Sequence, residues 1–187
     1  NPIATPGLIV TVSVSLPGLT VADIYTVCVR AKDASGNVSE PDTVFLPIYD
    51  PYGGFVTGGG WINSPAGAYP ADPALIGKAN FGFVSKYLKG SNVPTGQTEF
   101  QFKAGNLNFH SSSYEWLVCA GAKATYKGVG TINGQGSYKF FLSAVDGNLK
   151  GKGVPDTFRI RIYSEANGVE TAVYDNLLGA DMDADPT

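Results

Sequence analysis

Residues 53–61, Gly-Gly-Phe-Val-Thr-Gly-Gly-Gly-Trp, carry the pattern on which the prediction of the fold depends. A short apolar segment runs into three consecutive glycines and then into the large aromatic side chain of Trp61. Glycine within a strand marks a bulge, a sharp bend or the close approach of another backbone. This stretch therefore predicts the first strand of a β domain, bent tightly against its neighbour, with Trp61 packed over the space that the glycines leave.

The composition of the whole chain also favours β structure. Its 187 residues include 24 glycines, 12 prolines, 10 tyrosines and 10 phenylalanines, and 16% of them are charged. Short alternating segments recur between Gly, Asn, Asp and Pro turns, and no long segment has the 3.6-residue period of an amphipathic helix. We therefore predict an all-β protein.

The charge and hydropathy of the chain exclude two classes of partner. The net charge of −3 leaves no basic surface of the kind that binds nucleic acid. No apolar run reaches the ~18 residues that a membrane-spanning helix needs. Low charge with abundant Gly, Ser, Thr and Asn is typical of secreted proteins, so we expect an extracellular or cell-surface location.

The chain divides into two predicted units, residues 1–51 and 52–187. Alternating residues in the first unit predict three strands, 8–16, 24–32 and 43–49. About seven strands are needed to bury both inner faces of an immunoglobulin-like sandwich, so this partial sandwich must have an edge that something else covers.

The second unit is predicted to be an antiparallel, jelly-roll-like β-sandwich. Turns such as Asn133-Gly134 are strong hairpin signals between its strands. The predicted strands are residues 54–57, 77–86, 98–104, 107–110, 113–120, 122–132, 136–145, 156–164 and 168–176.

Four blocks of the second unit resemble the post-COAP-1 domain, a module at the C-terminal end of secreted prokaryotic multidomain proteins. They are residues 55–62 (Phe-Val-Thr-Gly-Gly-Gly-Trp-Ile), 77–87, 98–102 and 107–111. The resemblance covers about residues 52–176 and implies an extracellular, β-rich module with no established activity. The first unit resembles the closing half of an immunoglobulin-like or polycystic-kidney-disease-type domain, through residues 25–37, which end in Asp-Ala-Ser-Gly-Asn.

Both ends of the chain are predicted to lie in the middle of a fold. Members of the post-COAP-1 family continue past the Asp-rich segment into a further strand, whereas this chain stops at Thr187. Either the chain is a fragment, or subunits exchange strands, with an end segment of one copy pairing with the open edge of the next. A head-to-tail contact of that kind gives a filament when it does not close a ring.

Candidate catalytic groups are few, and we predict that the protein is not an enzyme. His110 is the single histidine, and no Gly-x-Ser-x-Gly or Cys-adjacent signature accompanies it, so we expect it to pack or to hydrogen-bond. Glu99, Glu115 and Asp156 are candidates for the paired carboxylates of a glycosidase, but nothing in the sequence places two of them together.

The two cysteines, Cys28 and Cys119, lie one in each predicted unit. They are either two buried free thiols or the halves of a disulfide between domains or subunits. With a single histidine, they supply too few ligands for a zinc site.

The C-terminal residues Asp181, Asp183 and Asp185 have the i, i+2, i+4 spacing of the first ligands in a calcium loop. The glycine and glutamate of an EF-hand are missing, which excludes that motif. We predict calcium held by these oxygens and by carboxylates of neighbouring turns, with a solvated acidic terminus as the alternative. The candidate donors from the turns are Asp146, Asp156 and Asp175.

Five aromatic residues are candidates for a sugar-stacking platform, with core packing as the alternative. They are Trp61, Tyr69, Tyr87, Trp116 and Tyr126. Our main functional prediction is an extracellular structural or adhesive protein, a filament or surface-assembly subunit. Its partners would be other copies of itself, joined by strand complementation, or adjacent domains of a longer chain. The alternative is a carbohydrate-binding accessory module of a secreted hydrolase, with a glycan as its partner.

Overall fold

The computed structural model describes residues 11–52 and 54–187 and shows two antiparallel sheets in a sandwich-like, all-β arrangement. The first sheet is a hairpin of β1 (Asp23–Val29) and β2 (Asp42–Ile48). The second sheet contains eight strands in chain order. They are β3 (Phe55–Ser64), β4 (Gly77–Tyr87), β5 (Pro94–Phe102), β6 (Leu107–Ala120), β7 (Lys123–Ile132), β8 (Gln135–Val145), β9 (Thr157–Ala166) and β10 (Val169–Asp175).

Helical structure in the described residues is limited to two short pieces. One is a single turn, α1 (Gly147–Lys150), and the other is a 3-10 turn at Lys103–Gly105. None of the helices described is long and apolar enough to cross a membrane. The predicted all-β, sandwich-like class is confirmed.

The eight-stranded sheet is a meander, in which each strand pairs with its neighbours along the chain. Tight turns enforce this order: Asn133 and Asn167 have φ of 54° and 52°, and the glycine after each has φ of 74° and 77°. Positive φ at both central residues is the hairpin turn that matches the twist of the strands. The predicted jelly-roll order would instead need connections that cross between two sheets.

The predicted strand at residues 8–16 differs from the structure. Residues 11–16 belong to no strand, and residues 8–10 lie outside the described residues. The alternating side chains of Val12, Val14 and Leu16 are 63%, 76% and 47% exposed. Residues 11–16 therefore have the sequence of a half-buried strand but join no sheet in the part of the chain that the structure describes.

The eight-stranded sheet bends over on itself, and its inner face encloses the main core. Aromatic rings meet across the bend: Phe81 of β4 stacks on Phe158 of β9 at a centroid distance of 3.8 Å. Phe100 of β5 likewise lies 4.5 Å from Tyr174 of β10. Side chains at every second position supply this core, as the period of a strand requires.

The hairpin packs on the outer face of the same sheet and buries a second, smaller apolar layer. Val118 of β6 and Phe141 of β8 are buried there, and Ile24 of β1 lines a small cavity with both. Trp116 packs edge-on against Phe141 at 6.2 Å. Packing on the eight-stranded sheet thus covers one face of the hairpin.

Candidate functional site

Strand β3 forms one edge of the eight-stranded sheet and, within residues 11–52 and 54–187, pairs only with β4. Its inner face carries two glycines, Gly58 and Gly60, between the apolar side chains of Val56 and Ile62. A Cβ on Gly58 would lie 2.6 Å from Cζ of Phe83, and one on Gly60 would lie 3.3 Å from Cζ of Phe81. The edge strand therefore rests directly on the core rings, which is the close approach that its glycines predict.

A groove of about 630 Å³ runs along β3 from Phe55 to Ile62. The side chains that line it are mostly apolar or small, and they come from the turn between β6 and β7 and from the ends of β8 and β9 as well as from the core. They include Phe81, Phe83, Ala122, Ala124, Ala144, Val145, Leu149 and Phe158. Within residues 11–52 and 54–187, a part of the core is thus open beside a strand edge that pairs with no other strand.

The groove lies beyond the end of the last strand, β10, which is shorter than its neighbour β9. Strand β10 ends at Asp175, opposite Arg161, so residues 157–160 of β9 extend beyond it. The side chain of Asn176 takes the place of a strand residue there. Its Nδ2 donates to the carbonyl oxygen of Phe158 at 2.8 Å, and its Oδ1 accepts from the amide of Ile160 at 2.8 Å. The sheet ends at this amide, and the groove separates β9 from β3.

Residues 11–16, Thr-Val-Ser-Val-Ser-Leu, match this groove in chemistry and in length. Three apolar side chains alternate with hydroxyls, so one face of the extended segment is apolar and the other is polar. Six extended residues span about 20 Å, and the eight residues of β3 along the groove span about 26 Å. These residues do not line the groove within their own chain.

No family model matches this chain, and no curated protein or solved structure is significantly similar to it. The resemblance to the post-COAP-1 domain stays a prediction from the sequence blocks, and the function is inferred from the geometry.

The C-terminal tail, residues 176–187, begins on the outer face of the sheet, where Arg159 of β9 holds its first part, and its last residue, Thr187, lines the groove. Arg159 is fully buried and forms two hydrogen bonds with the carboxylate of Asp175, at 3.1 and 3.0 Å. It also donates to the carbonyl oxygens of Leu177, Ala180 and Asp181, at 3.4, 3.2 and 2.6 Å. A single guanidinium thus fixes one strand end and the turn that follows it.

Lys123 of β7 holds the last part of the tail. Its Nζ lies 2.9 Å from Oδ1 of Asp185 and 3.1 Å from the carbonyl oxygen of Asp183. The hydrogen bond and charge of Lys123 lower the pKa of the Asp185 carboxyl. The Asp183 carboxylate accepts from the hydroxyl of Thr26 at 3.3 Å, which links the tail to the hairpin.

The two other predicted calcium ligands act as local caps. Asp146 accepts from the amides of Asn148 and Leu149 at the start of α1, and Asp156 accepts from the amide of Gly147 at 2.8 Å. In the part of the chain that the structure describes, no three His, Cys, Asp or Glu side chains lie close enough together to hold a metal ion. The carboxylates predicted as ligands are therefore not assembled into one site, and calcium binding stays a prediction.

The candidate catalytic groups each have a different partner. His110 Nδ1 lies 3.4 Å from Oε1 of Glu99 on the solvent face of β5 and β6. Glu115 pairs with Lys127 at 3.4 Å, and Asp156 caps Gly147.

Both cysteines of the chain lie in the described part and are free. The predicted burial is wrong for Cys28, which is exposed on β1 with its Sγ 3.9 Å from Oγ1 of Thr43. It lies next to the end of β1, where Val29 is exposed as well. Cys119 is half-buried and lines the groove, and burial raises the pKa of its thiol.

The five aromatic residues do not form one platform, because four of them are packed in separate places. Tyr126 is fully buried in the core, and Tyr69 packs edge-on against Phe102. Tyr87 stacks on Tyr49, and Trp116 packs against Phe141 beside the hairpin.

Trp61 differs from the other four, since its side chain is 57% exposed. The prediction that it packs over the glycines is wrong for a simple reason of parity. Successive residues of a strand point to opposite faces, so Trp61 points away from the inner face that Gly58 and Gly60 share. Its ring instead lies under the ammonium group of Lys78, 4.9 Å from the ring centre.

Proposed function

We propose that this protein is an extracellular structural subunit that assembles by strand complementation. Residues 11–16 of one copy add as a strand to the free edge of β3 in the next copy, with Val12, Val14 and Leu16 in the groove. The observation that carries this proposal is the coincidence, in one chain, of an unpaired apolar strand sequence and an open core beside an unpaired edge.

Two energetically unfavourable features of a subunit that is not assembled support this assignment. Exposed apolar side chains lose the favourable burial of about 25 cal/mol per Å² that a groove supplies. An unpaired strand edge exposes a row of amides and carbonyls that another strand can satisfy. Addition of residues 11–16 from another copy removes both unfavourable features. The main chain of the added strand forms hydrogen bonds with the edge of β3, and its alternate side chains fill the groove.

We favour a second copy, rather than the same chain, as the source of the added strand. The hairpin that follows residues 11–16 is held on the outer face of the sheet by Ile24 and Thr26, whereas the groove opens to the inner core. Each copy carries one donor segment and one acceptor groove in different places. The contact is therefore heterologous, and repetition of it extends a chain of subunits.

The test uses the purified full chain in sedimentation velocity and negative-stain microscopy, with and without an excess of a peptide of residues 8–16. We expect linear polymers that the peptide shortens to single subunits, because it occupies the groove of each copy. The control peptide has Ser in place of Val12 and Val14 and should leave the polymers intact. Dispersed single particles under all conditions, or equal effects of both peptides, would contradict the proposal.

The acceptor side has its own matched pair of variants. Leu149 lines the groove and is exposed, and its neighbour Asn148 is exposed outside it. Leu149→Glu places a charge where the donor must pack and should abolish assembly, whereas Asn148→Glu adds the same charge and should not. Equal assembly of the two variants would show that the groove is not the acceptor.

A further inference from the structure

The solvent face of β3, β4, β5 and β6 carries an ordered set of side chains that strand complementation does not use. Trp61, Asn80, Gln101 and Asn108 lie directly opposite one another on these four neighbouring strands. Each alternates with core residues of its own strand, so all four belong to the face opposite the core. With strands spaced 4.7–4.9 Å apart, the row extends about 14 Å.

A second row runs beside the first, two residues along each strand, and consists of Gly59, Gly82, Glu99 and His110. The backbone does not require either glycine, because neither has a positive φ. Packing does not require them either: among the described residues, a Cβ on Gly82 would have no neighbour within 4 Å. One on Gly59 would meet the Phe81 carbonyl oxygen at an ordinary 3.4 Å. The effect of the two glycines is to leave a clear trough between Trp61 and Glu99.

The charges around the two rows nearly balance. Lys78 lies over the ring of Trp61, and Glu99 pairs with His110 at 3.4 Å on the other side of the trough. The rest of the first row is three amides: Asn80 and Gln101 can each donate and accept hydrogen bonds, whereas Oδ1 of Asn108 is buried and only its Nδ2 is left to donate. An anionic polymer would find one cation facing one carboxylate, so the face is complementary to an uncharged ligand that has an apolar surface for Trp61 and many hydroxyl groups.

We propose that this face binds an extended, uncharged polysaccharide. Trp61 stacks on the C–H face of one sugar, the amides of Asn80, Gln101 and Asn108 bond to hydroxyls along the row, and the trough at Gly59 and Gly82 admits the chain. A strand added to the edge of β3 would extend the sheet beside Trp61 without covering its ring, so an assembled subunit retains the site.

The test is affinity gel electrophoresis of the full chain in neutral polysaccharides (hydroxyethylcellulose, xylan, mixed-linkage β-glucan and galactomannan), with alginate as the anionic comparison. We expect retardation in at least one neutral gel. Trp61→Ala should weaken it about tenfold or more, as for the central aromatic of a binding surface. Gly82→Leu should weaken it similarly, because its Cβ meets no neighbour within 4 Å and the rest of its side chain would occupy the trough.

The control is Tyr52→Ala, which removes an exposed aromatic ring outside the two rows and should leave retardation unchanged. Circular dichroism and the melting temperature establish that each variant is folded. Failure of every neutral polysaccharide to retard the protein, retardation by alginate alone, or equal retardation of the wild type and Trp61→Ala would each overturn the proposal. None of these results bears on assembly, which the groove and residues 11–16 determine.

Discussion

Gly58 lies directly against the ring of Phe83, so close that a Cβ on the glycine would come within 2.6 Å of the ring's Cζ. The ring has little freedom to move, because Phe158 and Tyr126 lie 6.0 and 6.2 Å from it on the inner face. This contact explains how the edge strand β3 closes over the core without side chains at positions 58 and 60. It also leaves the core open at the edge, where the groove begins.

Gly58→Ala should destabilise the fold by about 1–3 kcal/mol, the usual cost of overpacking a filled core. Gly59→Ala is the matched control, since its Cβ would point to solvent and make only ordinary contact at 3.4 Å. Urea unfolding of the two variants measures the difference. Equal stability of the two proteins would show that Phe83 gives way and that the close approach is not a constraint.

Arg159→Met should destabilise the protein by about 3–5 kcal/mol, because it leaves the buried carboxylate of Asp175 without its partner. The carbonyls of Leu177, Ala180 and Asp181 would lose their donor as well. Arg161→Met removes a more exposed cation from the same strand, and its pair with Glu170 should contribute under about 1 kcal/mol. Comparable losses in thermal unfolding would contradict the central role of Arg159.

Acid should release the end of the C-terminal tail. The pKa of the Asp185 carboxyl is lowered by its hydrogen bond to Lys123, whereas in the unfolded chain it returns to about 3.9. The ion pair therefore contributes fully above the unfolded pKa, and its contribution is lost as the pH falls through the lower folded pKa.

We expect the protection of the amides in residues 181–187, measured as the exchange rate relative to an unstructured chain at the same pH, to be lost below about pH 4. Asp185→Asn should cause the same loss of amide protection at neutral pH, because it removes the ion pair with Lys123. Asp183→Asn should reduce the protection less, because among the hydrogen bonds described the Asp183 carboxylate contacts only the Thr26 hydroxyl. Protection of these amides that does not change with pH in the wild type would refute the assignment.

Tyr49→Ala should loosen the hairpin from the sheet. Tyr49 stacks on Tyr87 at 5.2 Å and donates to the carbonyl oxygen of Asn92 at 3.2 Å. Burial raises the pKa of Tyr87 to about 12, and its hydroxyl bonds to both backbone groups of Leu117, so the ring below Tyr49 is firmly held.

A two-stranded hairpin is marginal by itself. Amide exchange in β1 and β2 should therefore become at least about tenfold faster in Tyr49→Ala, with β7 and β8 unchanged. Tyr52→Ala, an exposed ring nearby in sequence, serves as the control. Unchanged protection of the hairpin would mean that the outer-face contacts of Val118 and Phe141 alone hold it.

Much of the fold follows from local signals in the sequence. The predicted strand at 122–132 agrees with β7 (Lys123–Ile132), because its core side chains alternate and an Asn-Gly turn ends it. Two predicted strands, 107–110 and 113–120, form the single strand β6, since Gly128 and Gly130 of β7 make room for its bulged backbone.

The features that the sequence did not predict depend on contacts between residues that are far apart in the chain. Nothing local indicates that the sheet bends until Phe81 meets Phe158, and the groove that results is built from small side chains of separate turns, such as Ala122 and Ala144. The tail carboxylates resembled calcium ligands by spacing, but the positions of Arg159 and Lys123 on the sheet below them were not visible in the sequence.

The measurement that tests strand complementation most directly compares Val14→Asp with Ser13→Asp in sedimentation velocity of the full chain. Both residues are exposed in the separate chain, so neither change should affect folding. In an added strand the two side chains point to opposite faces, and only residue 14 enters the groove. Strand complementation predicts single subunits for Val14→Asp and polymers for Ser13→Asp. Polymers of equal length from both variants, or single subunits from the wild type, would contradict it.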